Sequence, residues 1–506
     1  MSSNVKTIVG YGSSGLVIEV ECSLANSLPN IVIVGFASKA VDEAKERIRG
    51  AFAASSIKLP KKRITLNLAP ADIPKEGSSL DLAMAVAILG AGKLTKSQLD
   101  QHTVVIGELG LDGSVRPVRG LIGKILAARK LGFYKFIIPQ ANIQQANLVP
   151  DIQTLPVASL QELYTLLNKD SVEFAATKDP QLRIRQPEST HKVCFEDIVG
   201  QERAKRALLI AAAGHHNIML NGPPGTGKSM MAKALPSIMP PLNQEEMLEI
   251  THIHSLANRQ FEKIIYNRPL RSPHHSSSQA SIIGGGQNPR PGEISLSHHG
   301  ILFFDEFPEF HRPVIEALRQ PLEDKMITVA RAKDTLEFPA HFILVATANP
   351  CPCGYYNSSR ECICMPHEIL RYHKKISGPV VDRIDLYVTV DEVAHDKLLK
   401  KAAQGKLGTS EYLAKEVAKA RSQQKTTRAK KLNSELDNKE LKRWSGLTEE
   451  SELLLNTAAE KMHLSARGYM RAIRVARTIA DLDGEQQIGI AQITEALQYR
   501  KKPFSL

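Results

Sequence analysis

The chain has 506 residues, 42% hydrophobic and 23% charged, which suits a soluble protein of about three domains and excludes wholesale disorder. No apolar run approaches the roughly 18 residues of a membrane span, so a membrane-spanning helix is excluded. Lys and Arg number 65 against 53 Asp and Glu, a net charge of +12 that suggests a polyanionic partner.

Aromatic residues make up 5%, with Trp444 the single tryptophan, so a nucleic-acid contact would lean on phosphates more than on base stacking. The first segment carries Glu19 and Glu21 and lacks a signal-peptide layout. A cytoplasmic location without a membrane partner is the expectation.

Residues 1–167 alternate short apolar runs with helical patterns. Asn30–Gly35 and Ile64–Leu68 read as strands, the second by period-two alternation. Ser38–Ala54 and Leu80–Leu89 read as helices, and Thr103–Glu108 and Lys135–Pro139 as further strands. An α/β or α+β domain is expected here. Residues 168–192 are polar and charged with two prolines, the composition of an exposed linker. Residues 193–393 alternate strands and helices as an α/β core, and 394–506 are helical and charged. Within the last segment Lys425–Arg443 is strongly basic. It reads as a solvated helix face or loop, with a direct nucleic-acid role as the rival.

The strand-like Ile218–Gly222 leads into Gly222, Pro223, Pro224, Gly225, Thr226, Gly227, Lys228 and Ser229, a full G-x4-G-K-[ST] match with a helix-competent segment after it. Glycines let backbone N–H groups turn inward around phosphate oxygens. Lys228 is expected to reach the β- and γ-phosphates of ATP, and Ser229 to hold Mg²⁺. Gly300–Phe304 is an apolar strand ending in Asp305 and Glu306. Side chains alternate along a strand, so the two carboxylates take different tasks. Asp305 would sit by the Mg²⁺ and Glu306 would polarise the attacking water. His341–Asn349 is another buried strand, and Asn349 is placed to orient that water. The plainer reading of Asn349 is a turn-forming residue before Pro350.

On these residues the segment 193–393 resembles the AAA+ ATPases, and within them the magnesium-chelatase-like branch. Val199–Lys205 resembles the opening segment near the adenine pocket. Arg268–His275 and Gly284–Leu296 resemble that branch's helix-2 insertion, and Asp324–Phe338 its hairpin before the sensor strand. The resemblance implies that both project toward a ring pore. It makes Arg383, in Ile376–Leu386, an arginine finger for the neighbouring subunit's ATP, with a local pair to Asp382 or Asp385 as the alternative. Arg467 would be a second sensor on a C-terminal helix, while Arg471, Arg474 and Arg477 follow it on a solvated or interface face. Lys325, Arg331 and Lys333 near the hairpin turn, with Arg290 of the insertion, would meet DNA phosphates.

Residues 74–86 and 107–139 resemble the Lon protease domain, whose fold is of the ribosomal S5 type. The nucleophile position falls on Ser79 and the lysine position on Ile122, with Lys124 two residues further on and read as facing elsewhere. A serine without its base is a poor nucleophile, so the scaffold is expected without protease activity, and Ser79 as a helix N-cap.

Cys351, Cys353, Cys362 and Cys364 have the spacing C-x-C-x8-C-x-C. Four thiolates on one loop suit a structural, tetrahedral Zn²⁺, and a metal-free reduced loop is the rival. No sulfur set of this kind leaves a position open for catalysis.

The whole chain resembles the ComM/YifB family. The resemblance implies a homohexameric ATPase and helicase on single-stranded and branched DNA. It would promote branch migration during natural transformation, with recombinase or other competence proteins as further partners. The alternative is a magnesium-chelatase-type ATPase subunit that remodels a metal-insertion partner.

Overall fold

A computed structural model describes residues 2–10, 15–35, 39–71, 75, 77–176, 193–257, 261–286, 290–330, 335–376, 378–393 and 409–500. The chain divides into two compact units, residues 1–187 with 243–266, and residues 188–242 with 267–506. Residues 243–266, within the segment expected to be the ATPase core, group with the N-terminal unit. Among the described residues no helix is long and apolar enough to cross a membrane.

The first unit is built on an eight-stranded mixed sheet. Its strands are β1 (Ser2–Val9), β2 (Leu16–Ala25), β3 (Asn30–Val34), β4 (Arg63–Ala69), β5 (Thr103–Val105), β8 (Lys135–Pro139), β9 (Gln153–Val157) and β10 (Ala175–Ala176). They run in the order β10-β9-β8-β5-β1-β2-β4-β3. A short hairpin, β6 (Glu108–Leu109) and β7 (Val115–Arg116), stands apart from it. The helix Asp81–Ala91 is apolar on nearly every side, and it packs across β1 and β2 with almost every residue buried. The expected Ser38–Ala54 helix is two, Lys39–Asp42 and Ala44–Ala54.

The second unit holds a parallel sheet of β11 (Ile218–Asn221), β12 (Leu270–Arg271), β15 (Ile301–Phe304), β18 (Ile343–Ala348) and β19 (Leu386–Thr389), ordered β12-β15-β18-β11-β19. Strands β11, β15 and β18 are buried along their whole length, which explains their largely apolar runs. Two hairpins decorate the sheet. One pairs β13 (Gly284–Gly285) with β14 (Arg290–Pro291), and the other pairs β16 (Met326–Ala330) with β17 (Thr335–Pro339).

The C-terminal helices Ser410–Thr427 and Ala466–Asp483 pack on the helix Glu202–Gly214 of the sheet layer. Their buried faces, including Leu413, Val417, Ala472, Val475 and Ile479, share one hydrophobic core with β11, β15 and β18. Part of the basic stretch is not solvated. The Arg428 guanidinium is buried and forked onto Asp481 at 2.7 and 2.8 Å, and Lys431 pairs with Glu440. Arg471, Arg474 and Arg477 also turn inward rather than lining an open face. Arg471 donates to Asp385 at 2.6 Å, Arg474 to the Leu436 carbonyl, and the fully buried Arg477 to Asp481.

Candidate nucleotide site

Parallel pairing brings together the carboxyl ends of three adjacent strands, where open α/β sheets bind ligands. Asn221 of β11 stands opposite Ala348 of β18, and Phe304 of β15 opposite Ala346. The residues that follow each strand, Gly222, Asp305 and Asn349, therefore meet at one sheet edge. The loop Gly222–Gly227 bends through positive φ at Gly225 (82°) and Gly227 (85°), a conformation glycine adopts without strain. It delivers the chain into the helix Lys228–Ala234.

Lys228 Nζ donates to the Gly222 carbonyl at 2.6 Å, to the Pro223 carbonyl at 2.7 Å and to Asn349 Oδ1 at 3.2 Å. Burial lowers its pKa to about 8, against the opposing pull of Asp305 and Glu306. Ser229 Oγ donates to Asp305 Oδ2 at 2.9 Å. The other Asp305 oxygen accepts from Thr347 Oγ1 at 2.6 Å, and the same hydroxyl accepts from the Glu306 backbone N–H at 3.0 Å. Glu306 takes a left-handed backbone (φ 54°), which sends the chain off the strand immediately after Asp305.

The donor set fits a nucleoside triphosphate: a glycine-hinged loop of backbone amides and one lysine ammonium. The oxygens of Ser229 and Asp305 suit a hard cation such as Mg²⁺. Thr347 escaped the sequence reading. Its signal was its position two residues before Asn349, a polar residue near the end of an otherwise apolar strand.

The Arg383 side chain is nearly buried, 8% exposed. Its guanidinium is 2.5 Å from Glu323 and donates to the Pro379 carbonyl at 2.6 Å. The local alternative partner Asp385 is taken by Arg471 and His216. Burial raises the Asp385 pKa, but Arg471 and His216 outweigh it and hold the carboxylate far below its usual range. Arg467 is well exposed, with its guanidinium 3.7 Å from the other oxygen of Glu323. Glu323, which no motif marked, thus faces both arginines singled out from the sequence.

Lys325 does not stand near the hairpin turn. It precedes Met326, which pairs with Pro339 at the base, and its ammonium is 2.7 Å from Glu435 of the C-terminal segment. Arg331 and Lys333 fall outside the described residues, and Arg290 is exposed opposite Gly285.

The cysteines converge. Sγ of Cys351 lies 3.3 Å from that of Cys353 and 3.6 Å from that of Cys362, and all four sulfurs lie within 4.8 Å of one another as free thiols.

In the first unit Ser79 lines a cavity of about 410 Å³ with Ser78, Glu108, Arg116, Arg119 and Lys124. Lys124 does not face elsewhere, as the sequence reading had it. It is buried at this cavity, 3.3 Å from the Gly10 carbonyl, and burial lowers its pKa to about 8. Ser79 is not an N-cap either. Leu80 holds that position without a side-chain bond, and the Ser79 carbonyl accepts from Gly107 N–H. Ile122 is fully buried.

Comparison with known proteins places these features among relatives. Family profiles for the magnesium chelatase subunit ChlI match residues 20–142 and 194–398, and one for its C-terminal part matches 408–500. Competence protein ComM of Haemophilus influenzae is 41% identical over 491 residues, 97% of this chain and 95% of the relative. YifB of Escherichia coli is 39% identical over 98% of this chain and 97% of its own length. Lon protease 2 of Bacillus subtilis is 33% identical over 31% of this chain and 32% of its own.

Proposed function

The chain belongs to the ComM/YifB family of magnesium-chelatase-like proteins, and from that premise we propose that it is an ATP-hydrolysing hexameric motor that moves on DNA. The observation that carries the ATPase reading is the convergence of Lys228, Ser229, Asp305, Thr347 and Asn349 at the ends of three parallel strands. Lys228 and the loop amides would hold the phosphates, and Ser229 and Asp305 would hold Mg²⁺, which would supply positive charge against the phosphate oxygens. Glu306 polarises water, oriented by Asn349. Arg383, released from Glu323, serves the neighbouring subunit, and Arg467 serves its own. A structural Zn²⁺ on the four thiolates completes the cofactor set.

The kinship with a competence protein and the net charge of +12 favour DNA as the track, with branch migration of recombination intermediates during natural transformation as the work. In the Lon-like first domain Lys124 shares a cavity with Ser79 but donates to the Gly10 carbonyl, and with Ile122 at the lysine position of the motif a scaffold role remains the reading. The alternative is a chelatase-type subunit that remodels a metal-insertion partner, the activity for which the matching profiles are named. The test is unwinding of forked and four-way DNA by purified protein, with Glu306→Gln as control. Unwinding that requires ATP and Glu306 supports the motor. ATP hydrolysis indifferent to every DNA offered favours the alternative.

A further inference from the structure

The four cysteines are continuous with the nucleotide site. Asn349, which accepts from Lys228, is separated from Cys351 by Pro350 alone. The loop then turns back at Gly354, whose N–H donates to the Cys351 carbonyl at 3.0 Å. Gly354 has φ +89° and lies directly on the phosphate loop, so that an added Cβ would stand 2.8 Å from Cδ of Pro224. At its far end the cysteine loop runs through Cys364 into the helix Pro366–His373. His373 of that helix returns to the Pro350 carbonyl at 2.8 Å. The segment from Asn349 to His373 is therefore a closed loop, tied at Pro350 and resting on Pro224.

The sulfurs are arranged for a metal. A tetrahedron with Zn–S near 2.3 Å has edges of about 3.8 Å. Cys353 and Cys362 are 3.6 Å apart, and the two contacts of Cys351 are 3.3 and 3.6 Å. Backbone amides already point at the sulfurs, Tyr356 N–H at Cys351 Sγ (3.3 Å) and Cys353 N–H at Cys364 Sγ (3.4 Å). Such donors orient thiolates and temper their charge around a cation.

We infer that Zn²⁺ at Cys351, Cys353, Cys362 and Cys364 holds Asn349 in place against the phosphate loop, so that ATP turnover, more than ATP binding, depends on the metal. The inference rests on the zinc reading above and extends it from a structural ion to control of the nucleotide site. The cysteines are positioning residues: none reaches the phosphates, but together they set where Asn349 stands. Displacement of a catalytic group by about 1 Å can lower turnover by about 100-fold. The amides and ammonium that hold phosphate lie in residues 222–228, ahead of the cysteine loop, and keep their own geometry.

The experiment compares the full-length protein with Cys362→Ser/Cys364→Ser, Cys362→His and Gly354→Ala. Zinc is measured by mass spectrometry, nucleotide binding by a fluorescent ATP analogue, and turnover at saturating ATP. The wild type should carry about one zinc per chain, because four thiolates satisfy one ion. The double variant should lose zinc and about 100-fold in kcat while nucleotide Kd changes little. Cys362→His keeps a Cys3His ligand set, so zinc and turnover should both survive. Gly354→Ala should keep zinc and still lose turnover, because its contact with Pro224 is strained. A wild type without zinc overturns the zinc reading itself. A zinc-free double variant with normal kcat overturns the coupling alone. Should the double variant fail to fold, normal kcat in Gly354→Ala overturns the coupling.

Discussion

Glu323 holds Arg383: the guanidinium lies 2.5 Å from one carboxylate oxygen and is nearly sealed from solvent, while the other oxygen faces Arg467 at 3.7 Å. Arg383 beside it holds the Glu323 carboxyl below its ordinary range. One acidic residue at the end of the helix Arg319–Asp324, just ahead of the β16–β17 hairpin, thus restrains Arg383 and faces Arg467, the two arginines proposed to touch ATP. An arginine finger must leave this partner to reach a neighbour's nucleotide. Glu323→Gln removes the restraint, and a half-exposed pair is worth up to about 1 kcal/mol. Turnover of the assembled protein should rise by at most about fivefold. A fall as deep as that of Arg383→Ala would mean that Glu323 presents the finger instead of restraining it.

The finger acts between subunits in this reading, and mixing decides it. Lys228→Ala alone should not bind ATP, and Arg383→Ala alone should bind but turn over slowly. Mixed assemblies should recover part of the hydrolysis, since one variant supplies a phosphate loop and the other an arginine. Absence of recovery in demonstrably mixed rings would place Arg383 within its own subunit.

Thr347 ties the Asp305 carboxylate to the Glu306 backbone, donating to the first and accepting from the N–H of the second. Thr347→Val keeps the shape and removes both bonds. An unsatisfied buried group costs about 1–3 kcal/mol, so kcat should fall by roughly tenfold or more with a smaller change in nucleotide Kd. Wild-type kcat in a correctly folded variant would remove Thr347 from the machinery.

Burial lowers the Lys228 pKa to about 8 in the free site. Triphosphate favours the ammonium and raises that pKa on binding. Below pH 8 the lysine is charged in both states and affinity is flat with respect to this group. Above pH 8 the free form is neutral, binding takes up a proton, and affinity falls by up to about tenfold per pH unit. Calorimetry at pH 8.5 in buffers of different ionisation enthalpy should show proton uptake. Proton release would contradict this account.

Lys325 and the pair Arg331 and Lys333 should behave differently. Lys325 is engaged by Glu435, whose carboxyl is raised by burial but drawn far below its usual range by His341 and Lys325. Lys325→Ala should therefore loosen the contact with the C-terminal segment, read as a lower melting temperature, and leave the salt slope of DNA binding intact. Arg331→Ala with Lys333→Ala should weaken DNA binding alike across sequences and flatten its salt dependence by about one unit per phosphate lost. An unchanged slope would move the DNA path away from the hairpin connection.

The sequence by itself determined the chemistry that lies close together along the chain. The run Gly222–Ser229, the pair Asp305–Glu306 at the end of an apolar strand, and four cysteines within one loop are local patterns, and the strands β11, β15 and β18 follow from their largely apolar runs. What only the tertiary structure decided was which distant charges meet. Glu323 against Arg383, Lys325 against Glu435, Arg428 against Asp481 and Lys124 at the cavity of Ser79 depend on how elements far apart in sequence pack. Periodicity predicts which face of an element is buried, but an ionic partner is chosen by the packing of two elements, and burial makes that choice obligatory by penalising any charge left alone.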